Sequence, residues 1–148
     1  MMYRNHEGYA DPTMGSAISR MMAEYRLRRR QCFHDKNRPR VYIASPYKGD
    51  VDANVAAAIR YCRFAIRRGK MPLASHLLYP RILDDDNPKE RELGLTFGLV
   101  LLGFCDEVWV FGDPSPGMIG EIHEAENLGK PVRYFTTNME EIVDGIPC

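Results

Sequence analysis

The sequence contains no long hydrophobic run and carries no net charge. Its longest apolar stretch, Leu99 to Cys105, is interrupted by Gly103 and is far shorter than the ~20 residues that cross a bilayer. The N-terminus is polar and lacks the apolar segment of a secretory signal. We therefore expect a cytoplasmic protein without a membrane partner.

Cysteine is also scarce, and none of the four cysteines forms a C-x-x-C pair. We interpret them as reduced thiols, with a zinc site as the alternative. The run Asp84 to Asp86 could bind a divalent ion, but three successive carboxylates do not converge on one point, and a solvated charge run is the preferred interpretation. We expect neither a metal nor an organic cofactor.

The balanced charge is unevenly distributed. Residues 1–40 carry nine Lys and Arg against four Asp and Glu, whereas residues 41–148 carry eleven against sixteen. An acidic body argues against a groove for nucleic acid, which we do not expect as a partner. The basic run Arg26 to Arg30 could touch phosphates but is typical of a solvated helix face.

The chain divides by pattern into a basic leader, residues 1–40, and an α/β domain, residues 41–148. Apolar residues of the leader recur at spacings of three and four, which predicts an N-terminal helix followed by a polar linker at 35–39. The residues of this stripe are Met14, Ile18, Met21, Met22 and Tyr25.

Strand and helix patterns alternate through the α/β domain. Strands are predicted at 41–44, 71–74, 107–111 and 132–135, and helices at 52–68, 88–104, 116–129 and 139–143. This order predicts an open parallel sheet of four or five strands with helices on both faces, similar to flavodoxin or Rossmann folds. Ligands of such sheets bind at the carboxyl ends of the strands, which points to the loops after Ala44 and Phe111.

The loop after Phe111 leads into a helix that could bind an anion. Ser115 is the expected N-cap, and the backbone amides near Gly117 and Met118 would point out of the positive helix end. Glu121 lies about one turn into this helix. A glutamate there could carry chemistry, but the helix dipole alone also favours it.

The loop after Ala44 supplies further candidates. Ser45, Tyr47, Lys48 and Gly49 follow the strand directly, and a lysine in a glycine-containing loop can hold a phosphate. His76, just after the second strand, could hydrogen-bond a ligand. An ordinary surface lysine and a structural histidine are the alternatives.

Three stretches of residues 41–135 resemble the nucleoside 2-deoxyribosyltransferase superfamily. They are most similar to its 2'-deoxynucleoside 5'-phosphate N-hydrolase branch and to uncharacterised phage and bacterial relatives. The stretches are Tyr42-Ile-Ala-Ser-Pro-Tyr-Lys-Gly49, Cys105-Asp-Glu-Val-Trp-Val-Phe111, and Ser115-Pro-Gly-Met-Ile-Gly-Glu121 with its Gly129-Lys-Pro-Val132 exit. The leader lies outside the resemblance.

The resemblance implies cleavage or transfer of the N-glycosidic bond of a nucleotide or deoxynucleoside. Glu121 corresponds to the nucleophilic glutamate, which forms a glycosyl-enzyme intermediate. Ser115 matches the serine with which the monophosphate hydrolases hold the 5'-phosphate, and Lys48 and His76 fall near their basic residue and histidine. These matches favour a nucleotide as the small-molecule partner. The resemblance also implies a homo-oligomer.

One position departs from the superfamily. A second acidic residue is often found eight residues before the acidic residue of the third strand, and counting back from Asp106 gives Gly98. Glycine cannot protonate a departing base, although Glu92, Asp113 or the Asp84 to Asp86 run could substitute. The alternative function is a non-catalytic protein that binds or sequesters a nucleotide signal. A third hypothesis is an adaptor that works through its leader.

Overall fold

Six short segments form one sheet in the computed structural model, which describes residues 4, 8, 12–143 and 146–147. The strands are β1 (Arg40–Ala44), β2 (Met71–Leu73), β3 (Glu107–Phe111), β4 (Val132–Phe135), β5 (Glu141–Val143) and β6 (Ile146–Pro147). The helices are α1 (Pro12–Gln31), α2 (Phe33–Lys36), α3 (Val51–Arg67), α4 (Pro88–Gly103) and α5 (Pro116–Asn127). Two 3-10 turns, Ser75–Leu77 and Tyr79–Arg81, follow β2.

The strands lie in the order β2-β1-β3-β4-β5-β6. The pairings among the first four are parallel, and β5 and β6 add antiparallel strands at one edge. The predicted α/β class with an open parallel sheet is confirmed for β1 to β4, and the described residues add two antiparallel strands that were not predicted. Because the chain leaves β1 for β2 on one side and returns to β3 on the other, the topological switch point lies between β1 and β3, where such sheets bind ligands.

Alternating side chains of the central strands build two apolar layers. Val41 and Ile43 of β1 face α3, where Phe64 packs against Trp109 of β3. The opposite face of the sheet carries a second cluster with side chains of β1, β3, α4 and α5. Its buried members are Tyr42, Ala44, Leu102, Cys105, Val108, Val110, Met118 and Ala125. The sheet is therefore covered on both faces, as predicted.

Residues 1–37 form one compact unit and residues 38–148 another. The predicted leader helix is present as α1. Part of the predicted linker at 35–39 is instead the short helix α2, in which the amide of Lys36 donates to the carbonyl of Cys32. No helix among the described ranges is long and apolar enough to cross a membrane.

The final helix predicted at 139–143 is wrong, because residues 141–143 form β5. Met139 adopts a positive φ of 65°, and the amide of Thr136 donates to the carbonyl of Glu140, which together turn the chain back against β4. Arg133 of β4 then makes two hydrogen bonds to the Glu141 carboxylate, at 2.8 and 2.7 Å. This pair favours the strand over one turn of helix.

Replacing Ile43 by alanine tests the central position of β1. Ile43 is fully buried, so Ile43→Ala should lower the free energy of unfolding by about 2–5 kcal/mol through lost burial and a residual cavity. The same change at Ile66 of α3, which is 48% exposed, should change it by less than about 0.5 kcal/mol. Urea titrations of both variants measure the difference, and equal effects would contradict this placement of the core.

Candidate active site

Three side chains from three different elements form a hydrogen-bonded network at the switch point. The Tyr42 hydroxyl on β1 donates to Oε1 of Glu121 on α5, at 2.6 Å. The same hydroxyl lies 2.6 Å from Oγ of Ser75, in the 3-10 turn after β2. Tyr42 is fully buried and Ser75 is 8% exposed, so the network is largely shielded from solvent.

Burial determines the protonation of this network. It raises the pKa of Tyr42 well above its usual value, and the neighbouring Glu121 carboxylate raises it further. Tyr42 therefore keeps its proton and is the donor of the bond. Burial also raises the pKa of Glu121, while the hydrogen bond from Tyr42 lowers it and so favours the ionised carboxylate. The result is a carboxylate with increased basicity and one oxygen held in place.

Gly98 of α4 lies directly against the same network. A Cβ atom at this position would be 3.2 Å from Oγ of Ser75 and 3.5 Å from the hydroxyl oxygen of Tyr42. The first distance is tighter than ordinary van der Waals contact, so a larger residue would push Ser75 away. The position where the resemblance expects an acid therefore faces Glu121's partners, and its lack of a side chain leaves room for their hydrogen bond.

A second polar group adjoins the network. Oγ of Ser45, the residue after β1, lies 3.0 Å from Nε2 of His76, the residue after Ser75. The rings of Tyr47 and His76 are 6.4 Å apart at an angle of 59°. Burial lowers the pKa of His76 to about 4, so its ring is neutral at physiological pH. Two rings and a hydroxyl thus follow β1 and β2 at the carboxyl edge of the sheet.

The loop between β1 and α3 is held by Asn54. Its side-chain amide donates to the carbonyl oxygens of Tyr47 and Lys48, at 3.0 and 2.9 Å. Gly49 adopts a φ of +101°, a conformation that side chains disfavour, which is sufficient reason for glycine there. Lys48 is exposed, so its amine is available to a ligand.

The start of α5 is arranged differently from a simple anion pocket. Oγ of Ser115 accepts a hydrogen bond from the amide of Met118 at 3.4 Å, as an N-cap does. The Met118 side chain is 3% exposed and belongs to the core. Gly117 is exposed, and a Cβ atom there would meet nothing within 4 Å. Its amide belongs to the first turn, whose N–H groups have no intrahelical acceptor.

The structure thus brings Glu121, Ser45, Tyr47 and His76 to one edge of the sheet. Tyr42, Ser75 and Asn54 were not identified as site residues from the sequence. A tyrosine inside a buried strand was the available signal, since a buried phenol needs a hydrogen-bond partner. Ser75 and Asn54 carry no such signal because their roles depend on partners distant in sequence.

The other acidic candidates lie apart from this network. Asp85, Asp86 and Glu92 line a surface depression together with Pro88, Arg91 and Leu95. Asp113 is exposed in the loop after β3. Among the described residues, no three His, Cys, Asp or Glu side chains are grouped to hold a metal ion.

The sequence of residues 39–135, which carries both loops of the site, matches a family described as Domain of unknown function (DUF7768). The chain belongs to this family. Its structure is similar to that of the 2-deoxyribosyltransferase from the psychrotolerant bacterium Bacillus psychrosaccharolyticus, with a TM-score of 0.53 and 19% sequence identity over 71% of this chain and 77% of that chain. At this identity the similarity shows a shared fold. No curated protein matches the sequence.

His76 gives the DUF7768 domain of this chain a pH-dependent stability. Its pKa is about 4 in the folded state and near 6.5 when unfolded, so the unfolded chain binds the proton more tightly. The stabilisation is complete above pH 6.5 and is lost as the pH falls towards 4. Between pH 7 and 4.5, the wild type should lose roughly 2–3 kcal/mol more unfolding free energy than His76→Asn.

Urea titrations of both proteins at the two pH values measure this difference, and the other titrating groups cancel in the comparison. An equal loss in the wild type and in His76→Asn would show that His76 is not buried as a neutral ring.

Proposed function

We propose that this protein cleaves the N-glycosidic bond of a nucleotide, with Glu121 as the nucleophile. The observation that carries the proposal is the half-buried Glu121 carboxylate held by Tyr42 at the carboxyl edge of the sheet, beside the switch point. A carboxylate in this position suits an anomeric carbon, whose transition state resembles an oxocarbenium ion and is stabilised by a nearby negative charge.

The geometry suits attack by the second carboxylate oxygen. Tyr42 occupies Oε1, so Oε2 would approach C1' and form a glycosyl ester as the bond to the base breaks. Burial, which raises the pKa of Glu121, also makes the carboxylate a better nucleophile than one in water. Water then attacks C1' and releases the sugar phosphate. Capture by a second base would instead transfer the sugar, with retention of configuration.

The surroundings can orient a 5'-phosphate. Lys48 supplies a mobile positive charge, and the Gly117 amide with the positive end of α5 supplies an oriented donor. Ser115 stabilises this helix start, because its hydroxyl oxygen accepts a hydrogen bond from the Met118 amide. Tyr47, beside Lys48 on the β1–α3 loop, and His76, in the turn after β2, can pack their rings against the base. The substrate is therefore expected to lie between the β1 and β3 loops.

The fold of the Bacillus 2-deoxyribosyltransferase supports a substrate of the nucleoside class. Hydrolysis is favoured over transfer here because the Ser115 motif is that of the monophosphate hydrolases. A binding protein without turnover is the second candidate, and Gly98 in place of an acid favours it.

Replacing the nucleophile separates these two functions. Glu121→Gln keeps the size and a hydrogen-bond acceptor but removes the charge, so it should lower base release by at least about 1,000-fold. Glu124→Gln, one turn further along α5, should retain nearly full activity. Chromatography of free base from a panel of nucleotides and deoxynucleosides measures both. Calorimetric binding by the wild type without base release from any substrate would instead support the binding protein.

We also propose that copies of this chain associate through α4. The helix is apolar on nearly every side, yet only Gly98 and Leu102 are buried. A helix of this kind is normally covered on all faces. Four of the exposed apolar side chains recur at spacings of four, three and four, which is typical of helix pairing. This stripe consists of Leu93, Phe97, Val100 and Phe104. The exposed residues are Leu93, Leu95, Phe97, Leu99, Val100 and Phe104.

A charge placed in this stripe should dissociate the oligomer. Val100 is 52% exposed, and Val100→Glu should shift the mass measured by light scattering to that of one chain. The matched control is Ile66→Glu on α3, where the residue is 48% exposed and the mass should not change. A single-chain mass for the wild type, or no effect of Val100→Glu, would contradict the interface.

A further inference from the structure

The hydrogen bonds of the described residues bring hydroxyl groups, and no second acid, to Glu121. The position closest to the network, Gly98, has no side chain, and the space that an acid there would need is bordered by Ser75 at 3.2 Å. Ser75 and Tyr42 fill this side of the site and bond to each other. Gly98 thus contributes no acid to this side of the site.

The polar groups that are present are poor proton donors to a leaving base. The Tyr42 hydroxyl already donates its hydrogen bond to Glu121, and burial raises its pKa well above the usual value. His76 is neutral because burial lowers its pKa to about 4. Asp113 is exposed, and Glu92 lines a depression that contains none of the network residues.

The lack of a good proton donor restricts which glycosidic bond the site can break. An uncharged base leaves as an anion unless a proton reaches its ring, and that general-acid assistance is worth about 100- to 10,000-fold in rate. A base that is already cationic leaves as a neutral molecule and needs no acid. Resting on the proposed nucleophile, we propose that the substrates are N-glycosides of a positively charged base, a pyridinium or an N-alkylated purine, carried on a sugar phosphate.

The step balances with the groups present and water. Oε2 of Glu121 forms a bond to C1', and the electron pair of the breaking C1'–N bond moves onto the ring nitrogen, which neutralises the base. Water then attacks C1', the ester bond breaks and returns the electron pair to the carboxylate, and one proton passes to solvent. No oxidant, reductant or metal is consumed.

The surroundings also suit a flat cation. The Tyr47 and His76 rings present aromatic faces, and such faces attract cations when they are themselves uncharged. A protonated His76 would repel the base, so its neutral state favours this ligand. The Glu121 carboxylate adds a negative charge close to the reacting carbon. The positive Lys48, on the exposed part of the β1–α3 loop, is suited to the phosphate rather than to the base.

Matched substrates that differ in the charge of the base test the proposal. The first pair is 7-methylguanosine 5'-monophosphate and guanosine 5'-monophosphate at about pH 6, with the 2'-deoxy forms alongside. The second is nicotinamide mononucleotide and its reduced, uncharged dihydropyridine form at about pH 8. We expect kcat/KM at least about 100-fold higher for each cationic member, the size of the missing acid contribution.

The pH profile gives a second readout. For nicotinamide mononucleotide, whose ring charge does not titrate, kcat/KM should rise as Glu121 ionises and then stay level. A fall below about pH 9, where a lysine amine is still protonated, would reveal an essential acid and overturn the proposal.

The outcomes distinguish the proposed substrate class from the proposed nucleophile. Comparable turnover of neutral and cationic members, abolished by Glu121→Gln, would overturn the cationic substrate class and leave the nucleophile standing. No base release from any member would overturn both. Cationic turnover that survives Glu121→Gln would show that the reaction occurs elsewhere.

Discussion

The buried hydroxyl of Tyr42 is the constraint on which the site depends. A phenol at the centre of the sheet must find partners, and here it finds them on α5 and in the turn after β2. The network therefore joins elements from both sides of the switch point. The hydrogen bond from Tyr42 also fixes one oxygen of Glu121 and lowers the pKa of this carboxyl, although burial raises that pKa by more. The interaction that satisfies the core is the same one that prepares the proposed nucleophile.

The low polarity of the site shifts the pKa values of Glu121 and His76 in opposite directions. Burial raises the pKa of Glu121 and lowers that of His76. The site therefore contains a carboxyl group of increased basicity and a neutral imidazole, not a general acid paired with a general base. Gly98 lies against the same network, and a side chain there would require Ser75 to shift by a few tenths of an ångström. At this position α4 therefore contributes no acid.

Local patterns predicted most of the fold. The apolar runs at β3 and β4 have the bounds predicted for them, and Ser115 caps α5 as predicted. Residues 139–143 show the limit of such patterns. One short apolar segment suits either a helical turn or a strand, and here the strand is favoured by pairing with β4, where Glu141 lies opposite Phe135 and accepts hydrogen bonds from Arg133. That pairing is non-local, and so no local pattern contains it.

The sequence by itself determined the alternation of strands and helices and the two loops at the ligand edge, and it singled out Glu121 as the candidate nucleophile. These follow from periodicity, capping residues and a motif, which are properties of neighbouring residues. Only the tertiary structure decided that Tyr42 and Ser75 hold that glutamate, that Met118 faces the core, and that Gly98 borders the network. Their partners lie on other elements, and side-chain direction and burial arise only when those elements pack.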